Sequence, residues 1–285
     1  MRSAEGSDIM PIMPAKQVLA KINGIRQVKP DVFLATLSAP YLAKAGKPGQ
    51  FLHIKIKDTI LRRPISIHSV KGGTVYILFR VRGRGTRILS RYKVGQTLDI
   101  IGPLGNGFSI RPETRPACRQ AGTKRLETNI LIGGGVGVAP LVFLGEKLRE
   151  TRSSKSEIRN IVILGAKTKK EILAEQEFKK LGFVVLIATE DGSCGTRGTV
   201  VDVLRGLLVS GPRSLAADVY ACGPEPMFKA IHALIKHKPN IHCQVSFEQF
   251  MGCGLGICCG CTIVTKKGYK KACKDGPVFD IKDIF

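Results

Sequence analysis

The chain has 285 residues, 44% of them hydrophobic and 24% charged, with 32 glycines and 15 prolines, enough for two or three domains with a buried core. A formal charge of +23 would suit nucleic acid, an anionic membrane, an anionic cofactor or an acidic protein. However, Lys and Arg are spread along the chain in short clusters such as KTKK (167–170) and KKGYKK (266–271), so no nucleic acid partner is expected.

The N-terminus, MRSAEGSDIMPIMP, lacks the apolar core of a signal peptide and reads as a disordered extension over 1–14. No integral membrane segment is expected, because the longest apolar run, ILIGGGVGVAPLVFL (130–144), is too short and too rich in glycine. The expected location is cytoplasmic, where thiols stay reduced, so nine cysteines argue for metal ligation over disulfides.

Over 15–111, short β-rich runs (VFLATLS, QFLHIKI, TVYILFRV, QTLDIIG) are separated by Pro, Gly or charged residues, and no long helix intervenes. This pattern predicts a small antiparallel barrel. Within it, LRRPISIHS (61–69) sets two arginines before a proline-fixed turn and a strand carrying Ser66. An arginine with a nearby hydroxyl suits a phosphate diester, and an ordinary edge strand with surface arginines is the competing reading.

A polar linker is expected over 112–128. From 129 to 239, apolar strands alternate with helical stretches: NILIGG before APLVFLGEKLRE, NIVILGAK before EILAEQEFKKLG, and DVYACGP before EPMFKAIHALIKH. Continuous apolar strands with helical crossovers predict a doubly wound parallel sheet with both faces covered. IGGGVGVAP (132–140) follows a strand and opens a helix at Pro140, a pattern that brings backbone N–H groups to a pyrophosphate, with tight strand–helix packing as the alternative. The acidic ribose-binding residue of an ordinary dinucleotide fold is not evident at its usual distance. ACGPEPM (221–227) ends the last strand at the edge where such sheets bind ligands, or is a plain turn.

The remainder, 240–285, reads as a cysteine-rich subdomain with no core of its own, needing a bound inorganic group to hold its shape. Cys253, Cys258 and Cys261 give C-x4-C-x2-C, and Cys273 follows twelve residues later. That is the plant-type spacing for a 2Fe–2S cluster held by four thiolates. Structural zinc and buried free thiols compete with it, although zinc sites usually pair two short knuckles. Cys259, adjacent to a proposed ligand, should diverge from the cluster. Cys118, Cys194 and Cys243 read as incidental thiols, and Cys222 either lies near a reacting ring or is simply buried. No Ser/His/Asp grouping, paired carboxylates or histidine metal site stands out, and each of the five histidines is expected to be satisfied or exposed.

Taken in order, RRPIS, GRGT, GGGVGVAP and ACGPEPM resemble the ferredoxin-reductase-like flavoproteins. With CGLGICCGC and YKKACKDGPVF behind them, the chain resembles the electron transfer subunits of B-type dihydroorotate dehydrogenases over about residues 16 to 281. The resemblance implies a flavin barrel, a nicotinamide domain and a C-terminal 2Fe–2S subdomain, with FAD and the cluster as cofactors and NAD as co-substrate. Arg63, Pro64, Ile65 and Ser66 would contact FAD, with Leu78, Phe79, Arg80, Gly85 and Thr86 completing its site and GPLGNGF (102–108) beneath it. Gly135, Gly137, Ala139 and Pro140 would hold NAD phosphates, with Cys222, Gly223 and Pro224 near the nicotinamide. Cys253, Cys258, Cys261 and Cys273 would ligate the cluster.

The implied partner is an FMN-containing dihydroorotate dehydrogenase catalytic subunit, in a heterotetramer of two of each chain serving pyrimidine biosynthesis. Nicotinamide exchanges two electrons as hydride, a 2Fe–2S cluster one at a time, and a flavin can do both, so FAD belongs between them. Relatives on the same scaffold, a sulfhydrogenase diaphorase subunit and a transhydrogenase-type ferredoxin reductase subunit, are alternatives. A zinc-stabilised nucleic-acid-binding protein is a more distant one. The 111–128 segment and the high positive charge depart from the family pattern without touching a motif.

Overall fold

The computed structural model describes residues 14–110, 127–151, 158–210 and 215–285. The expected extension and most of the expected linker lie outside these residues, as does Cys118; the linker's last two residues already belong to a strand.

Six strands form a closed antiparallel barrel: β1 (Lys16–Lys29), β2 (Val32–Ser38), β3 (Phe51–Lys55), β4 (Arg63–Lys71), β5 (Thr74–Arg80) and β6 (Thr97–Leu104), in the order β1-β2-β5-β4-β3-β6. β1 is long enough to serve two neighbours, pairing with β6 through its first half and β2 through its second. It bends at Gly24, where a Cβ would come within 2.7 Å of Thr36 Oγ1, so glycine marks an irregularity in the ladder. Ile22, Leu37, Leu52, Ile54, Ile67, Ile77 and Ile100 fill the interior completely. Each contributes ~1.5–3 kcal/mol by leaving water, and truncation of one to alanine would cost ~2–5 kcal/mol. Two short helices close loops of the barrel, α1 (Pro40–Ala45) and α2 (Arg84–Leu89).

The second unit is built on β7 (Glu127–Gly134), β8 (Arg159–Ala166), β9 (Val184–Thr189), β10 (Thr196–Arg197), β11 (Ala216–Cys222) and β12 (Ile241–Ser246), all parallel, in the order β10-β9-β8-β7-β11-β12. Helices α3 (Ala139–Glu150), α4 (Glu175–Lys180), α5 (Val200–Ser210) and α6 (Glu225–Ile235) cross over between strands. The strand order reverses between β7 and β11, which makes the carboxyl ends of those two strands the ligand crevice of the sheet. The stretch EILAEQEFKKLG is helical only at Glu175–Lys180, because Ile172 and Leu173 turn inward to the core and Ala174 adopts φ +60°.

The boundary at 240 requires correction. Ile241–Ser246, read as the start of the cysteine-rich tail, is the last of the six parallel strands of the sheet; Ile241, Cys243 and Val245 are buried in its core while His242 and Gln244 are half-buried. The tail also returns to that sheet. After the hairpin β13 (Thr262–Thr265) and β14 (Gly268–Lys271), strand β15 (Val278–Asp280) adds antiparallel to β12, and α7 (Ile281–Ile284) follows.

Barrel and sheet are docked through α3 and β4. Phe143 of α3 packs into the barrel core. The buried His68 Nδ1 lies 2.9 Å from the Ala139 carbonyl, and Ser69 Oγ donates to Glu146 Oε2 at 2.7 Å. Burial holds His68 below its ordinary pKa, against the opposing pull of the Ala139 carbonyl and of the Glu177 and Glu146 carboxylates.

Candidate functional site

The two arginines of LRRPIS have different employment. Arg62 is structural: its guanidinium meets Asp99 Oδ2 at 2.8 Å and donates to the Asp99 and His53 carbonyls at 2.9 and 3.3 Å, tying β4 to β6 and β3. That hydrogen-bonded guanidinium holds Asp99 below the usual carboxylate range. Arg63 makes no ion pair among the described residues; its guanidinium donates to the Leu61 carbonyl and lies along Gly85, where a Cβ would come within 2.7 Å of Arg63 Nε. Pro64 and Ser66 face outward from the barrel, whereas Ile65 is packed in its core and offers only backbone to a ligand on that face.

On β5, Leu78 packs toward the sheet domain and Phe79 into the barrel against Phe33. Arg80 Nη2 reaches Glu171 at 3.6 Å, and its buried Nε has no hydrogen-bond partner. A buried, unpaired guanidinium nitrogen calls for an anion or polar ligand. Thr86 accepts from the Arg82 and Gly83 N–H groups, so it shapes the first turn of α2. Pro64, Ser66, Leu78 and Arg80 thus lie on the outer side of β4 and β5, with Arg63 and Gly85 at its edge, and the arginines there fit a phosphorylated ligand. GPLGNGF, expected beneath the flavin, also contacts the C-terminal tail. Asn106 donates to the Lys274 and Asp275 carbonyls at 3.3 and 3.0 Å, and Gly105 is covered by Pro277, so the loop joins the barrel to the segment after Cys273.

At the sheet crevice, Gly135 has φ +56° and no atom within 4 Å of where a Cβ would stand, leaving its backbone open. Gly137 is closely covered: a Cβ there would come within 2.6 Å of the Cys222 carbonyl and 3.2 Å of the Gly223 nitrogen. The sequence-predicted residues 135–140 and 222–224 are thus in direct contact across the switch point. Ala139 and Pro140 open α3, both buried. The Cys222 thiol is buried, with Ser246 beside it, and burial pushes it far above the ordinary thiol range.

The cysteine loop runs over the barrel's outer face. Phe51, Leu104, Met251, Cys261, Ala272 and Cys273 form one buried cluster. Backbone N–H groups point at the sulfurs: Leu255 and Cys258 at Cys253 Sγ (3.3 and 3.4 Å), Gly256 at Cys273 Sγ (3.1 Å) and Cys273 at Cys261 Sγ (3.5 Å). Burial raises Cys253, but the N–H groups of Cys258, Leu255 and Ile257 outweigh it and bring the thiol down to about 6. Burial, and then its bond with Cys261, push Cys273 up to about 12.

Two of these contacts link proposed ligands to each other, the Cys258 N–H to the Cys253 sulfur and the Cys273 N–H to the Cys261 sulfur. Among the described residues no three His, Cys, Asp or Glu side chains converge as a ready site for one ion. A single tetrahedral zinc needs all four ligands about one point, whereas a two-iron cluster takes two protein ligands on each iron. The four cysteines and the backbone N–H groups aimed at their sulfurs fit the two-iron group. Cys259 stands apart: it has φ +57°, is exposed, and its Sγ lies 3.8 Å from the Ile257 carbonyl.

Two side chains carried no motif. His53 is buried with neither ring nitrogen hydrogen-bonded, contrary to the expectation of a satisfied or exposed ring. The signal was a polar residue inside the apolar run FLHI, on the face opposite Leu52 and Ile54. Glu248, just before the cysteine loop, is raised above the carboxylate range by burial of its carboxyl, with Arg82 pulling the other way, although the residue as a whole keeps surface exposure. It is close enough to influence Cys222, which only the fold reveals.

Comparison with known proteins gives two family-model matches: the iron-sulfur cluster binding domain of dihydroorotate dehydrogenase B over residues 248–285, and the oxidoreductase NAD-binding domain over 131–233. The chain is 39% identical over 268 residues to the dihydroorotate dehydrogenase B (NAD(+)) electron transfer subunit of Bacillus caldolyticus, covering 91% of this chain and 95% of the relative. The subunit of the same name from Shouchella clausii is 37% identical over 282 residues, covering 95% and 99%. Among solved structures, a subunit of an NADH-dependent reduced ferredoxin-NADP oxidoreductase superposes with TM-score 0.79 at 28% identity, covering 94% of this chain and 90% of that one. A ferredoxin NADP+ reductase from Neisseria gonorrhoeae shares the fold at TM-score 0.61 and 16% identity, over 81% of this chain and 99% of that one.

Proposed function

The chain belongs to the family of dihydroorotate dehydrogenase B electron transfer subunits, and on that premise we propose how its residues divide the work. It is an NAD-dependent oxidoreductase subunit that uses FAD and a 2Fe–2S cluster to connect NAD with a catalytic partner in pyrimidine synthesis. Bound together, these groups convert the two-electron exchange of nicotinamide into single-electron steps.

In our reading Arg63 and Arg80 hold the flavin's phosphates, Pro64, Ser66 and the Ile65 backbone contact it, and Leu78, Phe79, Gly85 and Thr86 shape its surroundings. Gly135, Gly137, Ala139 and Pro140 receive the dinucleotide phosphates at the start of α3, and Cys222, Gly223 and Pro224 border the nicotinamide. Cys253 and Cys258 hold one iron, Cys261 and Cys273 the other.

The observation that carries this reading is the adjacency of β3 and β4. Flavin-motif residues and the cysteine pocket occupy one outer face of the barrel on neighbouring strands, which lie ~4.8 Å apart. Beyond the pocket, Phe250 is 94% and Ile257 78% exposed, with Leu255 also at the surface. Such apolar exposure around a redox group suits docking of the partner. We propose an FMN-bearing catalytic chain there, in a heterotetramer of two of each, in the cytoplasm, where thiols stay reduced. Among the described residues no helix is long and apolar enough to cross a membrane.

Co-expression with the partner tests the reading. The complex should purify with flavin, iron and acid-labile sulfide and reduce NAD+ with dihydroorotate, whereas the chain alone should oxidise NADH only with artificial acceptors. A colourless, zinc-containing chain, or dihydroorotate turnover by the chain alone, would refute it.

A further inference from the structure

His53 is 1% exposed and sits on β3 between Leu52 and Ile54, whose side chains fill the barrel, so its ring is directed outward to the cysteine loop. There it lies against Gly254, where a Cβ would come within 2.6 Å of His53 Nδ1 and 3.0 Å of Cε1. Gly254 also has φ +70°, so this position needs glycine both for its backbone and to admit the ring. The Cys253 and Arg62 backbones lie close enough to pull the ring's pKa upward, yet neither ring nitrogen reaches hydrogen-bond geometry with any described residue.

A buried polar group left unpaired costs ~1–3 kcal/mol, so its retention asks for a ligand that satisfies it. An imidazole carries at least one N–H donor in either protonation state, so the ring can donate to whatever fills the space beside it. Arg62 fixes the backbone of His53 through its carbonyl at 3.3 Å, so the ring's direction is set by the barrel and not by the loop.

We infer that His53 is the barrel's hydrogen-bond donor to a sulfur of the iron–sulfur group, a positioning residue that raises the group's reduction potential and holds it against the strand next to the flavin motif. The inference rests on the cluster reading above. An N–H donated to sulfur withdraws electron density and favours the reduced state, and such bonds are among the determinants of cluster potential.

The test compares the full-length chain carrying His53→Phe, His53→Leu or His53→Gln with the wild type. Iron and sulfide content, the cluster midpoint potential and pulsed EPR of the reduced cluster are the readouts. The expected result is a shift of the midpoint to more negative values in the Phe and Leu variants, partial restoration by Gln, and loss in all three of a weak ring-nitrogen coupling seen in the wild type. The inference is overturned if an apolar variant keeps its cluster with an unmoved midpoint, if Gln behaves like Leu, or if all three variants lose the cluster alike. Absence of iron and sulfide from the wild type would instead overturn the underlying cluster reading.

Discussion

Phe51 stands directly across from Ser66 on the antiparallel strands β3 and β4, and the Phe51 ring belongs to the same buried cluster as Cys261 and Cys273. Residues paired this way project from one face of a sheet with Cβ atoms ~4.5–5.5 Å apart. One cross-strand pair therefore spans the distance between the strand expected to touch the flavin and the pocket that encloses the paired cysteines. On the site assignments proposed above, a barrel wall and not a loop would set the spacing of the two redox groups.

The two adjacent cysteines should respond differently to the same change. Cys258→Ser removes a member of the Cys253–Cys258 pair and is expected to lose or strongly alter the visible cluster spectrum, with iron content falling. Cys259→Ser, whose sulfur is directed at the Ile257 carbonyl, should leave the spectrum intact. Visible absorption and iron assay of the two proteins check this.

The two adjacent arginines should also separate. Arg63→Ala is expected to weaken FAD retention roughly 10–100-fold, the cost of losing hydrogen bonds from a charged group to phosphate. Arg62→Ala should instead lower stability by ~1–2 kcal/mol by removing its bonds to two carbonyls and to Asp99, which keeps only Gln17 as a side-chain donor. Flavin content after dialysis and a urea melt of each variant distinguish the two outcomes.

For the nicotinamide crevice, Gly137→Ala is the informative change. Its Cβ would meet the Cys222 carbonyl at 2.6 Å and force α3's approach away from β11, so the KM for NADH should rise roughly tenfold, while flavin and iron contents stay normal. Gly134→Ala, with no neighbour closer than 3.7 Å, should change KM little.

The barrel, the parallel sheet and the iron–sulfur domain were legible because each leaves a local signature: period-two alternation, apolar strands with helical crossovers, and a fixed cysteine spacing. What the sequence withheld depends on long-range contact. The roles of Arg62 and Arg63 divide only because Asp99 lies across the barrel, and His53 becomes unusual only when Gly254, 201 positions later, is folded onto it. Strand β12 was hidden because HCQVSF runs straight into the cysteine-rich tail, whose residues drew the boundary too early.

Acid should loosen the junction between barrel and sheet. His68 has its pKa held below the ordinary value by burial, so the unfolded chain takes up a proton at a higher pH than the folded one. Its contribution is complete above pH ~6.5 and is lost as pH falls toward the folded value, at no more than ~1.4 kcal/mol per pH unit. His53 and His232 are shifted the same way, so the check is a difference: His68→Gln should flatten the fall in urea midpoint between pH 7.5 and 5.5 without removing it.

The central claim is that electrons pass between nicotinamide and the partner only through the cysteine-held group. The most direct measurement is dihydroorotate-dependent NAD+ reduction by the assembled complex carrying Cys258→Ser, alongside NADH oxidation with an artificial acceptor in the same preparation. The expected result is loss of the first activity with the flavin still bound and the second largely retained. Dihydroorotate-dependent NAD+ reduction at the wild-type rate in a complex shown to lack the cluster would contradict the account.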